Sequence, residues 1–212
     1  LHWDVCRDGL HNGRRWWRTE SLLADLVKFL QVQITGTSWN WTSGANQMTM
    51  SDSGAVAYTT SEGIGTIAFE HPASNSLPGK LLGEIADCID AAGDDKSCKV
   101  LVLRSGGDRA FCAGASFDEL ITIQNKEQGL DFFSGFSKVI LAIRRSPKFV
   151  ICRVQGKAVG GGVGIAAAAD YTIATTHASV KLSELAIGIG PFVVGPAVER
   201  KVGLSAFQTL AI

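Results

Sequence analysis

From Ala55 onward, apolar runs of strand length alternate with stretches whose apolar residues recur at helical spacing, and this alternation confines the chain to the α/β class. Val56 to Thr60 and Ile64 to Phe69 read as two strands around Glu62-Gly63, with a loop from His71 to Leu77. Pro78 opens a helix in which Leu81, Leu82, Ile85, Ala86, Ile89 and Ala92 share one face up to Gly93. Val100 to Leu103 is the next strand. A loop from Ser105 to Ala115 leads to a short helix near Phe117 to Ile123 and a longer one near Gly129 to Arg145. A strand from Phe149 to Val154 precedes Gly160-Gly161-Gly162, which opens an alanine-rich helix ending at Asp170, and the strand Tyr171 to Ala174 follows. After Ser179 come a brief extended run, a turn from Gly188 to Pro191, and helical segments around Val194 to Val202 and from Ser205 onward.

Composition narrows the partners. The 212 residues are 46% hydrophobic and 19% charged, which fits one globular domain with something left over. Twenty basic residues balance twenty acidic ones, so no net field recruits nucleic acid or an anionic membrane. The best candidate for a membrane span, Leu22 to Ile34, is broken by Asp25, Lys28, Gln31 and Gln33. Five cysteines, widely spaced and without a C-x-x-C pair, argue against a disulfide framework and a zinc site, and they point to a reducing, cytoplasmic setting.

All five tryptophans lie before Asn46, and the two methionines, Met48 and Met50, stand where that stretch ends. Residues 1–47 therefore read as an appended or upstream-translated segment, with a natural start at Met48 or Met50. The last segment, Ala206 to Ile212, has no cap, Gly or Pro, so residues 48–212 are expected to be a truncated core.

Most of the 24 glycines lie beyond Met48, and they cluster in two loops that follow strands, Gly106 to Ala115 and Gly156 to Gly164. Ligands in α/β proteins are held at strand C-terminal ends, glycine lets them approach the backbone, and a helix N-terminus offers unpaired N–H groups. Two such loops brought together make an oxyanion hole without any side chain. Taken singly, each loop is as well explained by tight turns and helix packing. Gly162, Gly164 and Ala167 match G-x-G-x-x-A, with Glu184 placed as an acidic ribose ligand would be. That dinucleotide reading fails because Gln155 to Gly161 separate strand from helix and the helix is short. No P-loop, H-E-x-x-H or G-x-S-x-G is present.

Ala110-Phe111-Cys112-Ala113-Gly114-Ala115, then Lys148 to Gly162, Ala169-Asp170 and Ser179 to Pro191 together resemble the enoyl-CoA hydratase/isomerase (crotonase) family, from about Ala55 to Ile212. The resemblance implies a crotonase-like α/β spiral of β-β-α units, here lacking its C-terminal helical region, that binds a coenzyme A thioester. It implies that the N–H groups of Ala115 and Gly161 hold the thioester oxygen, with Phe111, Ala113, Gly114, Gly160, Gly162 and Gly164 lining the substrate. It implies no metal and no cofactor beyond the coenzyme A of the substrate, and homotrimers or hexamers of the full-length protein.

The family's hydratases carry two glutamates, one three residues after the oxyanion glycine and one twenty residues further on. The second matches Glu184; the first falls on Gly164. Positions 161 and 164 share a helical face, so a side chain at 164 is expected to point at the same thioester. The space there is used either by substrate bulk or by packing against a neighbouring strand. One glutamate beside an oxyanion hole suffices to move a proton between C2 and C4 of an enoyl thioester, whereas hydration must also orient a water. The balance tilts to isomerase, with a one-glutamate hydratase or a non-catalytic acyl-CoA binder as alternatives. Taken alone, Glu184 reads as a solvated acid or a partner of Lys181. Glu119 is able to approach an acyl pocket, Asp170 reads as fixing a turn, and Cys112 as buried packing. His71 and His177 have no metal or triad spacing. Phe192 stands where a dehalogenase relative needs an aspartate nucleophile.

Overall fold

A computed structural model describes residues 53–212, so the expectations for residues 1–47 and for a start at Met48 or Met50 lie outside the described residues. Strands β1 (Ala55–Ser61) and β2 (Ile64–Glu70) form an antiparallel hairpin, with Ala55 opposite Glu70 and Ser61 opposite Ile64. Its two-residue turn, Glu62-Gly63, takes positive φ at both positions, 51° and 82°, as the twist of a tight hairpin requires.

From β2 the chain winds in turns, each giving a strand to a large sheet, one or two short strands to smaller sheets, and helical structure. The first turn is β2, β3 (Ser76–Leu77) and α1 (Gly79–Asp94). The second is β4 (Val100–Ser105), β5 (Ala110–Cys112), β6 (Gly114–Ala115), α2 (Phe117–Leu120) and α3 (Lys126–Arg145). The third is β7 (Phe149–Val154), β8 (Lys157–Val159) and α4 (Gly161–Ala168). The fourth is β9 (Tyr171–Ala174), β10 (Ser179–Lys181) and a 3-10 turn, Leu185–Ile187. Helices α5 (Gly195–Val202) and α6 (Leu204–Ala211) follow. The large sheet runs β1-β2-β4-β7-β9, parallel beyond the hairpin; β10-β8-β5 is a parallel three-stranded sheet, and β3 pairs with β6. This is the expected spiral of β-β-α units.

The apolar stripe of α1 is buried as its spacing predicts: Leu81, Leu82, Ile85, Ala86, Ile89 and Ala92 pack with Phe136, Val139, Ile140 and Ile143 of α3. Below them lie Ile67, Phe69, Leu101, Leu103, Val150 and Cys152, the alternate residues of three central strands that share one sheet face. Helix α3 starts at Lys126 rather than near Gly129 because Asn125 caps it, its side chain accepting from the Gln128 N–H at 2.9 Å. Strands β3, β5, β6 and β8 fall in segments that read as loops. Each has two or three residues, too few to show a period, and exists by pairing with a partner far along the chain. Among the described residues, no helix is long and apolar enough to cross a membrane.

Asn75 ties the first turn to the second. It is 4% exposed, in left-handed backbone at φ 58°, and its Oδ1 accepts from the His71 N–H at 2.8 Å. Its Nδ2 donates to the carbonyls of Gly106 (2.9 Å) and Ala110 (2.8 Å). Truncation leaves buried groups unpaired and removes a side chain that tolerates this backbone, so Asn75→Ala should cost about 2–3 kcal/mol, read as a lower urea midpoint at unchanged m.

Candidate active site

The small sheet brings the two glycine-rich loops side by side. In the parallel β5–β8 pair, Ala110 lies opposite Lys157 and Cys112 opposite Ala158, with an irregularity between them, so the segments leaving both strands emerge together. They touch. A methyl group on Gly114 would lie 3.3 Å from the Val159 carbonyl oxygen, and one on Gly162 2.7 Å from Cys112 Cβ. Ala115 is fixed from its other side by β3: it pairs with Leu77, and its carbonyl accepts from Ser76 Oγ at 2.9 Å. Gln155, 9% exposed, braces the first loop from beneath, its Nε2 donating to Ser105 Oγ at 2.8 Å and to the carbonyls of Gly106, Gly107 and Ala110 at 3.2–3.3 Å.

Gly160 precedes α4 with φ 52° and ψ −116°, a conformation that a side chain strongly disfavours. Gly161 is the first residue of α4, so its N–H has no intrahelical acceptor, and it lies at the positive end of the helix dipole. The third segment arrives through β10, where Lys181 pairs with Val159 and accepts from the Gly160 N–H at 2.9 Å. Three residues on, Glu184 turns back over this point. A methyl group on Gly160 would lie 3.3 Å from Glu184 Oε1. Glu184 Oε2 is buried without a hydrogen-bond partner, and Glu184 makes no ion pair with Lys181.

The spacing of positions 161 and 164 gives them one face, but that face is filled. A Cβ on Gly161 would run into the Phe136 ring, and one on Gly164 would lie 2.6 Å from Val194 Cγ1 and 3.1 Å from Ile140 Cδ1. Gly164, expected among the substrate-lining residues, is buried against α3 and the residue preceding α5, so helix packing, not a strand or a substrate, takes the space. Phe111 is also corrected. It is 0% exposed and packs edge-on to Phe69 at 5.5 Å between ring centroids, which makes it a core residue. The Cβ direction of Gly162 meets Cys112. Ala113, Gly114 and Gly160 lie in the touching loops.

Other acidic and thiol groups have structural work. Glu119 Oε2 accepts from the Gly79 N–H at 2.9 Å, capping α1. Asp170 fixes a turn as expected, its Oδ2 accepting from the Val150 N–H at 2.9 Å. Burial pushes the Cys112 thiol up to about 12, which leaves it protonated and unreactive; its sulfur accepts from the Gly114 N–H at 3.4 Å. Among the described residues, no three His, Cys, Asp or Glu side chains gather as metal ligands.

Residues 59–212 match the family model described as enoyl-CoA hydratase/isomerase. The chain belongs to that family. It is 32% identical over 137 residues to the human mitochondrial methylglutaconyl-CoA hydratase, covering 64% of this chain and 40% of that protein. It is 30% identical over 164 residues to an enoyl-CoA isomerase/hydratase of Zymoseptoria tritici, covering 76% and 53%. A solved chain from Legionella pneumophila, described as an enoyl CoA hydratase/isomerase (crotonase), superposes with a TM-score of 0.70 at 31% identity, over 74% of this chain and 61% of that one. This family member has the crotonase fold, and it spans about half the length of the curated relatives it matches.

Asn75, Gln155 and Val194 were not singled out in the sequence. None belongs to a periodic pattern, and each matters through partners 30 or more residues away. In this enoyl-CoA hydratase/isomerase family member, Gly164→Ala should destabilise by about 1–3 kcal/mol through overlap with Val194, despite the better helix propensity of alanine. Val194→Ala should recover most of that loss, and a double-mutant cycle by chemical denaturation measures the coupling.

Proposed function

We propose that this chain carries the catalytic centre of an acyl-CoA enzyme in which the Ala115 and Gly161 N–H groups hold the thioester oxygen and Glu184 alone moves the proton. The observation that carries the reading is the position of Glu184: one carboxylate oxygen against Gly160 at the start of α4, the other buried and unpartnered. The packing of Val194 and Ile140 beside Gly164 supports a single acid–base group, because a second carboxylate has no room there.

The reaction this machinery supports with least is double-bond migration. In a 3-enoyl thioester, Glu184 takes the proton from C2 while the electrons of that C–H bond shift toward the thioester oxygen. The resulting enolate is stabilised by the two amides, each worth ~3 kcal/mol in a dry site. The same carboxyl returns the proton at C4, and the double bond moves from C3–C4 to C2–C3. The process is redox-neutral and draws only on the substrate and Glu184. The backbone of Ala113, Gly114, Gly160 and Gly162 lies along the thioester in this reading. Hydration by the same glutamate is the second reading, favoured by the hydratase name of the human relative.

Removing the carboxylate while keeping its shape isolates the chemistry from binding. Glu184→Gln should lower the rate of deuterium entry at C4 from D₂O by about 10³-fold, within the range of a general acid–base group, and leave coenzyme A ester affinity within a few-fold. Proton NMR of the product and calorimetric titration give the two readouts. A wild-type protein that binds the ester but exchanges no proton is an acyl-CoA binder, and the enzymatic reading then fails.

A further inference from the structure

Cys112 ends β5, opposite Ala158 and just past the irregularity in the β5–β8 pairing, and its side chain is fully buried. Two residues on, β6 pairs with β3, and the Ser116 N–H donates to the Leu77 carbonyl at 3.2 Å. Successive N–H groups of a strand point to opposite sides, so the Ala115 N–H is directed away from β3, and the Gly114 carbonyl on the same planar peptide is directed toward it. The Cys112 sulfur touches this stretch twice. It accepts from the Gly114 N–H at 3.4 Å, and its S–H donates to the Gly114 carbonyl oxygen at 3.9 Å. On its other side Cys112 meets the first turn of α4: a methyl group on Gly162 would lie 2.7 Å from Cys112 Cβ and 3.1 Å from Cys112 Sγ. One side chain thus stands between the peptide that presents the Ala115 N–H and the helical turn that presents the Gly161 N–H.

We propose that Cys112 is a positioning residue: its bulk sets the separation of the Ala115 and Gly161 N–H groups, and its sulfur holds the orientation of the Gly114–Ala115 peptide. The inference rests on the reading of those two amides as the site of the thioester oxygen. The thiol forms and breaks no bond in the reaction; it is buried and stays protonated. Two donors serve one oxygen only when it lies about 2.7–3.1 Å from both, so a small shift of either segment weakens one of the pair. Such a shift costs the enolate more than the bound ester, because the negative charge on that oxygen develops only during proton removal. The contact with Gly162 leaves no slack at Cys112 Cβ. A branched side chain at 112 therefore forces the loop and α4 apart, and alanine empties the space of the sulfur and frees the Gly114 peptide to rotate.

Two readouts on the intact protein separate positioning from packing: kcat and KM for isomerisation of 3-butenoyl-CoA, and the infrared carbonyl stretch of bound butanoyl-CoA labelled with carbon-13 at the thioester carbon. In the wild type, binding should lower the stretching frequency, because hydrogen bonds to the oxygen weaken the C=O bond. Cys112→Val and Cys112→Ala should each lose more than half of that shift and lower kcat by about 30-fold, less than the loss of a whole donor, with KM within about threefold. Cys112→Ser, which keeps a γ atom able to donate to the Gly114 carbonyl, should recover most of both losses. An Ala variant that is less stable in urea yet keeps the wild-type shift and kcat overturns the proposal, since packing alone predicts that result. A Ser variant as impaired as Ala overturns it too. Should Cys112→Val fail to fold, judged by circular dichroism, the Ala and Ser variants still decide. A wild-type protein whose bound ester shows no shift sinks the reading of the two amides, and this inference with it; a wild-type shift that the variants keep sinks this inference alone.

Discussion

Strands β5, β8 and β10 have three residues each, yet their parallel pairing is what the rest of the site depends on. The pairing sets the loop after β5, the N-terminus of α4 and the segment carrying Glu184 at neighbouring positions on one sheet end. These segments lie about 20–70 residues apart in the chain, so bringing them together carries a loop-closure cost that three-residue strands alone hardly offset. The large sheet bears that cost: β4, β7 and β9 precede β5, β8 and β10, and their register fixes where each short strand begins. A one-residue slip in the large sheet would turn the loops away from each other.

Buried polar side chains convert that approximate placement into contact. Asn75 joins the loop before β3 to the carbonyls of Gly106 and Ala110, and Gln155 reaches Gly106, Gly107, Ala110 and Ser105 from the end of β7. The Ala110 carbonyl is shared by both, at the start of β5. Gln155 Oε1 remains buried without a partner, a cost of about 1–3 kcal/mol accepted where four acceptors compete for the amide nitrogen. Ion pairs such as Lys80–Glu84 and Lys138–Asp131 are largely exposed and add little.

The strands of the large sheet and the stripes of α1 and α3 were legible in the sequence as apolar runs of four to seven residues and as period-3.6 patterns over 16 to 20 residues. The glycine clusters were legible as segments that follow strands, and the structure brings them into contact. Glu184 was legible only through its motif context, since a lone glutamate near a lysine reads as a surface acid. What was not legible lies in tertiary contact. Phe111 sits in a loop motif yet belongs to the core, where its ring packs edge-on to Phe69. The short strands, the Gln155 brace and the filling of the space beside Gly164 each depend on a partner that no local pattern names.

Gly164 and Val194 show how one packing choice narrows chemistry. A helix-interior glycine costs about 1 kcal/mol relative to alanine, so its presence in α4 has to be offset elsewhere. The offset is the close approach of Val194 and Ile140, which a Cβ at 164 would forbid. With Val194 and Ile140 in that space, a carboxylate at residue 164 would be both crowded and desolvated.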